Sequence, residues 1–354
     1  MSKFFAGKYK NLEAYVPGEQ PRDMKYIKLN TNESPYPPSK ETIDAVKSEN
    51  ALRLNLYPDP TCRELKRVLG ERYSLDAENV FVSNGSDDIL NFAFMAFGEN
   101  GVIFPDISYG FYEVFSELHN LPYKKIPLTD NLEINVEDYK NAGKMIAIAN
   151  PNAPTGILLS LDEIRQILKT NTENVVLIDE AYIDFGGESS AALLEEFDNL
   201  LVVQTFSKSR SLAGARLGFA LASREIIADL EKIKYSTNPY SINRLTLAAG
   251  IAAVESDKYY MDNAKEIIKT RDYTKNELIK LGFSVTDSYA NFIFAKKDGI
   301  DGKAFYEELR KRGILVRHFD KERIKDYNRI TIGNPEEMET FIKVTKTILQ
   351  EASK

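Results

Sequence analysis

The stretch Thr205-Phe206-Ser207-Lys208-Ser209-Arg210-Ser211-Leu212-Ala213-Gly214-Ala215-Arg216 follows an apolar run and sets one amine among small hydroxylated residues, with a guanidinium further along. An amine at the carboxyl end of a buried strand is partly desolvated, so its neutral form is accessible, and beside Arg216 it suits imine formation next to a phosphate. A solvated lysine in a serine-rich loop would give the same letters. Ile178-Asp179-Glu180-Ala181-Tyr182 closes a second apolar run. An acid at that position is held on a rigid element and faces the crevice where doubly wound sheets bind ligands. Opposite a pyridine nitrogen, Asp179 would keep that nitrogen protonated; the competing reading is a helix N-cap. Tyr182 could donate to a phenolate oxygen or simply pack.

Two further stretches have the same placement. In Asn84-Gly85-Ser86-Asp87-Asp88, glycine permits a tight turn, and Ser86 and Asp87 would offer backbone N–H groups at a helix N-terminus, a ready anion site. A plain Ser or Asp cap is the alternative. In Asn150-Pro151-Asn152-Ala153-Pro154-Thr155-Gly156, two prolines and a glycine fix a non-helical loop expected to expose side-chain amides at the sheet edge, unless it is only a structural turn. No GxGxxG or GxxxxGK[ST] is present, which removes the usual dinucleotide and nucleoside-triphosphate readings. Together the four stretches supply an amine, an acid, a phosphate cradle and an oxygen partner, the set that pyridoxal phosphate demands.

These residues need a scaffold, and the apolar patterning supplies one. Short β-rich runs at 80–83, 102–104, 145–149, 175–178, 200–204 and 218–221 alternate with amphipathic stretches such as 161–168 and 224–233. That alternation predicts an α/β fold with a mainly parallel sheet covered on both faces. After residue 236 the pattern turns to long charged helices broken by 292–294, 314–316 and 329–332, a smaller α+β domain. The first 40 residues, with Pro17, Pro21, Pro35, Pro37 and Pro38, read as an ordered arm or loop and not as a core element. The expected division is an arm at 1–40, a large domain at 41–236 and a small domain at 237–354.

Composition narrows the chemistry further. The net charge of −7 disfavours nucleic acid and anionic membranes as partners. The longest dense apolar stretch, 92–97, is far short of the roughly 20 residues of a spanning helix. Residues 1–8 reach a lysine before any signal-like apolar region forms, so a cytosolic location is expected. With one cysteine, Cys62, and two histidines, His119 and His318, neither a disulfide nor a cysteine- or histidine-rich metal site is expected. Cys62 reads as a passive helix-start residue.

The chain resembles the fold-type I pyridoxal-phosphate aminotransferases over essentially its whole length, and within them the histidinol-phosphate aminotransferases. The resemblance rests on Ser207-Lys208 with Arg216, the 179–182 run and the 150–156 loop in the same order. Leu29-Asn30-Thr31-Asn32-Glu33-Ser34-Pro35-Tyr36, Tyr57-Pro58-Asp59-Pro60 and Val316-Arg317-His318-Phe319 are similar to the histidinol-phosphate branch. It implies a mainly parallel seven-stranded sheet in the large domain, with Lys208 as the imine-forming and proton-shuttling amine. Asp179 would pair with the ring nitrogen and Tyr182 would bond the ring oxygen, a role it shares with Asn152, since Ala153 stands where the family has asparagine. Tyr109 would stack on the ring, with Tyr112 a competitor because the motif Pro105-Asp106-Ile107-Ser108-Tyr109 is longer than usual. Ser207, Arg216 and the Ser86 and Asp87 amides would hold the phosphate, with Tyr57 lent by the partner subunit of a homodimer. Tyr15, Asn32, Arg317 and Arg329 would meet substrate. The implied reaction is transamination between histidinol phosphate and 2-oxoglutarate; the alternatives are an aromatic amino-acid aminotransferase of the same branch and a phosphothreonine decarboxylase.

Overall fold

The computed structural model describes residues 2–10, 12–21, 23–49 and 53–352. In chain order the strands are β1 (Ile27–Lys28), β2 (Val80–Ser83), β3 (Val102–Pro105), β4 (Tyr123–Ile126), β5 (Met145–Ala149), β6 (Val176–Asp179), β7 (Leu200–Thr205), β8 (Gly218–Ala222), β9 (Ser284–Val285), β10 (Phe292–Lys296), β11 (Ile314–Leu315), β12 (Arg317–His318) and β13 (Asn328–Thr331). The helices are α1 (Lys40–Ser48), α2 (Arg63–Tyr73), α3 (Ser86–Phe97), α4 (Phe111–Leu118), α5 (Leu161–Lys169), α6 (Arg224–Thr237), α7 (Arg244–Glu255), α8 (Asp257–Lys280), α9 (Gly302–Lys311) and α10 (Pro335–Ala352). None of these helices is long and apolar enough to cross a membrane.

Seven strands form one sheet in the order β2-β8-β7-β6-β5-β3-β4, with β8 antiparallel to both neighbours and the other pairs parallel. Successive side chains on a strand point to opposite faces, and the apolar residues divide accordingly. Val80, Val82, Ile146, Ile148, Val176, Ile178, Leu200 and Val202 pack in one core with α2, α5 and α7. Phe81, Ala147, Leu177, Leu201, Val203 and Ala220 face the other core with α3, α4 and α6. The sheet is therefore the middle of three layers, which is why its strands read as unbroken apolar runs. Cys62 starts α2 from a buried position, and burial pushes its thiol up, away from nucleophilic use.

The second unit holds the antiparallel sheet β12-β13-β10-β9 and the short parallel pair β1-β11, with α9 and α10 on a third core. One expectation changes here. The arm does enter a core: Leu29, directly after β1, is 1% exposed and packs with Ile293, Ile330 and Phe341. The run expected at 314–316 forms β11, Ile314–Leu315, which pairs with the arm, and the chain continues at once into β12, which pairs with β13 in the other sheet. Beyond residue 236, Ile242, Ala249, Ala253, Val254 and Tyr260 still belong to the core of the large sheet.

Candidate active site

Because β8 alone runs backwards, its first residue pairs with the last residue of β7, Thr205 opposite Gly218. The intervening loop 206–217 therefore leaves and re-enters at one sheet edge, carrying Ser207, Lys208 and Arg216 together. The same edge receives the ends of β2, β5 and β6. A cavity of about 390 Å³ opens there, lined by Ser86, Asp87, Tyr109, Asp179, Tyr182, Ser207, Lys208 and Arg216 among others. These are eight of the residues singled out in the sequence. A second cavity of about 420 Å³ is lined by Tyr15, Asn32, Arg317 and Arg329 and shares Thr31, Tyr109, Ala153, Tyr182 and Lys208 with the first. Lys208 stands where the two meet, its Nζ donating to the Thr31 carbonyl at 3.3 Å and lying 5.7 Å from the Tyr182 ring centre.

The anion end is built from close approach. Gly85 has φ +85°, and a Cβ there would lie 2.8 Å from Arg216 Nη2; one on Gly218 would lie 2.4 Å from the Ser86 nitrogen. Only glycine at both lets the guanidinium and the first turn of α3 converge on one spot. Arg216 Nη2 donates to Asp87 Oδ2 at 3.1 Å, and Tyr109 donates to Asp87 Oδ1 at 2.7 Å, so Asp87 orients both groups.

At the opposite end, Asp179 is buried and burial raises its carboxyl to about 6. Two donors work against that rise: Tyr112 O–H to Oδ2 at 3.0 Å and the Ala181 N–H to Oδ1 at 3.3 Å. Glu180 turns to the other face of the sheet, where Ser189, the Ser190 N–H and Gln204 donate to it and tie the end of β6 to its surroundings. Of the two tyrosines, Tyr109 lines both cavities, whereas Tyr112 is fully buried behind Asp179, edge-on to Tyr109 at 5.9 Å. Tyr112→Phe keeps the stack on Phe94 and removes the donor. We expect the Asp179 titration midpoint, followed by carboxyl carbon NMR, to move up by on the order of 1 pH unit; an unchanged midpoint would show that the hydroxyl does not act on the acid.

In the second cavity Arg329 lies half-buried between the Phe292 and Phe319 rings, 5.3 and 5.8 Å from their centres, and donates to the Asn30 carbonyl at 3.0 Å. Its Nε has no hydrogen-bond partner, and burial pulls its pKa down. Arg317 donates to the Val16 and Pro17 carbonyls, which ties the arm across the opening and brings Tyr15 onto Phe111 at 4.3 Å. Among the described residues, neither arginine has an acidic partner within ion-pair distance.

Two expected site residues line neither cavity of this chain, one of them, Tyr57, having been expected in a partner's. Asn152 lines neither cavity: its amide donates to the Ile107 carbonyl and Thr155 and accepts from Ser108, while Asn150 bonds both polar atoms of Leu159. The loop buries its backbone and needs these amides internally, so they are not exposed at the edge, and Ala153 forms the cavity wall. Tyr57 is 77% exposed and stacks on Tyr240 at 4.5 Å, outside both cavities. Sequence reasoning missed Gln20, Thr31 and Glu33 on the wall of the first cavity. Glu33 belongs to the 29–36 motif, which was the available signal; Gln20 carried none.

A cavity at the strand ends of a doubly wound sheet, with an amine between an acid and an anion cradle, defines a group-transfer enzyme of the aminotransferase kind. Residues 24–344 match the model of the class I and II aminotransferases, and the chain belongs to that family. A histidinol-phosphate aminotransferase of Brachyspira hyodysenteriae is 50% identical over 353 residues, 99% of this chain and 100% of its own. The crystal structure of histidinol-phosphate aminotransferase from Sinorhizobium meliloti, in complex with pyridoxal-5'-phosphate, has a TM-score of 0.87 at 21% identity, covering 98% of this chain and 99% of its own. L-threonine-O-3-phosphate decarboxylase from Porphyromonas gingivalis reaches 0.80 at 21% identity, over 92% of this chain and 99% of its own. The fold is thus shared by an aminotransferase and a decarboxylase, and the site must distinguish them.

Proposed function

We propose that the protein is a pyridoxal-phosphate-dependent aminotransferase that interconverts histidinol phosphate plus 2-oxoglutarate with imidazole-acetol phosphate plus glutamate, a step of histidine biosynthesis. The carrying observation is Arg329, a half-buried cation with a buried, unpartnered Nε and no acidic partner among the described residues, in a cavity that opens onto Lys208. With Arg317 beside it, that cavity favours a phosphomonoester or carboxylate over a neutral ring. The full-length relative at 50% identity supports the same substrate.

The first cavity fits the cofactor by the chemistry of its donors: a glycine-cleared cradle for a dianion at one end and an acid at the other. When bound, pyridoxal phosphate supplies a protonated ring that draws electrons from the substrate α-carbon. Arg216, Ser207 and the Ser86 and Asp87 amides hold its phosphate. Asp179 keeps the ring nitrogen protonated, Tyr182 donates to the ring oxygen and Tyr109 covers the ring. Lys208 Nζ would anchor the cofactor and, once released from it by the substrate amine, would carry the proton from the substrate α-carbon to C4′ of the cofactor. Arg329 and Arg317 orient the anionic end of the substrate, and Tyr15 closes over it.

The same reading places the enzyme in the cytoplasm as a homodimer, in which the outward Tyr57, beside exposed Leu54 and Leu56, reaches the cavity of a partner. The large unit, extended beyond residue 236 by α7, forms the cofactor floor; the small unit and the arm bring the arginines.

The test is a titration of the cofactor absorbance with histidinol phosphate, phenylalanine and O-phosphothreonine in turn, with product analysis. Histidinol phosphate should act at the lowest concentration and yield glutamate once 2-oxoglutarate is added. Preference for phenylalanine would assign the aromatic activity, and release of carbon dioxide from O-phosphothreonine would assign the decarboxylase. Arg329→Gln should raise KM for histidinol phosphate by about 100-fold through loss of charged hydrogen bonds; an unchanged KM would place the substrate anion elsewhere.

A further inference from the structure

Asn32, expected to meet substrate, is 1% exposed and turns its amide to Tyr182. Its backbone is in the left-handed region, φ 57°, a conformation that asparagine tolerates better than most residues. Three contacts hold it there. Its N–H donates to Thr331 Oγ1 at 3.0 Å, its carbonyl accepts from Asn291 Nδ2 at 3.0 Å, and its Oδ1 accepts from Thr331 Oγ1 at 2.9 Å. Thr331 closes β13 and Asn291 precedes β10, so both braces come from the small sheet.

This wiring sets the sense of the amide. Because the Thr331 oxygen already accepts the Asn32 N–H, its own proton goes to Asn32 Oδ1, which leaves Nδ2 to face the Tyr182 oxygen at 3.0 Å. A phenolic oxygen that accepts one hydrogen bond keeps its proton for another acceptor. The Tyr182 ring is held edge-on to Phe292 at 5.1 Å and lines both cavities, so that acceptor is a cavity ligand.

We propose that Asn32 is a positioning residue: with Thr331 it forms a relay from the small sheet that directs the Tyr182 hydroxyl proton into the cavity. This deepens the reading above and rests on it, the acceptor being the ring oxygen of pyridoxal phosphate. The neighbouring Thr31 carbonyl accepts from Lys208 Nζ, so one turn of the arm, braced on the small unit, touches both groups that act on the cofactor.

The test uses the holoenzyme and the pH at which the absorbance of its bound cofactor changes. A hydrogen bond donated to the ring oxygen weakens that oxygen's hold on the neighbouring proton, so losing the donor should raise the midpoint by about 1 pH unit. Asn32→Asp keeps the shape and the left-handed backbone but, when ionised, only accepts, and so recaptures the Tyr182 proton. Asn32→Gly keeps the backbone and removes the amide without adding charge. Both should raise the midpoint, as Tyr182→Phe should, and neither should add to the effect of Tyr182→Phe in the double variant. Thr331→Val, which leaves Asn32 in place, should move it in the same direction. A wild-type midpoint in Asn32→Gly and Thr331→Val, with only a lower melting temperature, would overturn the relay and make these bonds structural. Full additivity with Tyr182→Phe would overturn it as well. Failure of the wild-type protein to show any cofactor band would instead defeat the cofactor reading itself, a result distinct from an unchanged midpoint.

Discussion

Lys208→Ala is expected to lower kcat by about 10,000-fold or more while leaving the protein folded and able to take up pyridoxal phosphate. Lys208 Nζ is the amine at the junction of the two cavities, where it faces both the cofactor end and the substrate end. The phosphate cradle of Gly85, Gly218 and Arg216 does not depend on it, so binding persists without the covalent anchor. Titration of the cofactor-free variant with pyridoxal phosphate should therefore still show saturable binding, but without the covalent anchor the cofactor should dissociate on gel filtration, where the wild-type protein keeps it. Steady-state assays with histidinol phosphate and 2-oxoglutarate give the rate; turnover at the wild-type level would remove Lys208 from the chemistry.

Asp179→Asn should move activity and stability in opposite directions. The carboxyl titrates at about 6 in the folded protein because it is buried, against about 3.9 in an unfolded chain. A folded pKa above the unfolded one means that the folded state holds the proton more tightly. The associated stability is fully present below about pH 4 and is lost as pH rises through about 6. At pH 7.5 the cofactor-free wild-type protein thus carries a buried anion that costs about 2 to 3 kcal/mol, which asparagine removes while still accepting from Ala181. Denaturant unfolding of the two cofactor-free proteins should converge near pH 4 and separate above pH 6, with the variant the more stable. The same variant should lose about 1,000-fold in kcat, because a neutral amide does not keep a ring nitrogen protonated. Equal stability at pH 7.5 would mean that Asp179 is not held as a buried charge.

Six of the seven strands of the large sheet were legible because each is covered on both faces and so is written as an apolar run. β4 was not: Tyr123-Lys124-Lys125-Ile126 is an edge strand with two exposed lysines, and nothing in those letters separates it from a loop. β1 was hidden for another reason. It has two residues, and its partner β11 lies far away in the chain, so its pairing is a tertiary fact. Lys208, Asp179, Ser86 and Arg216 were recognisable because their positions follow from strand ends. Tyr112 was ambiguous with Tyr109 until the direction of each side chain was known, since both lie in one short motif. Asn152 misled because the demand it meets, satisfying a buried loop, is invisible without the loop's neighbours. The rivalry between phosphorylated and aromatic substrates stayed open in the letters, because an arginine shows whether it is neutralised only once its surroundings are known.

The reversal of β8 has a consequence for what the chain can tolerate. Thr205 and Gly218 are register partners, so loop 206–217 is stapled at both ends to neighbouring strands. Lengthening an ordinary surface loop costs little free energy, but here Lys208 and Arg216 hang from opposite ends of a span of fixed reach. An inserted residue between them would alter the gap between amine and guanidinium and would also shift Leu212 or Leu217, which the loop places in the core beneath the sheet. This loop therefore serves as a ruler whose divisions are fixed by its own buried residues Phe206, Leu212 and Leu217, so its length is set by the core and by the cofactor end at once.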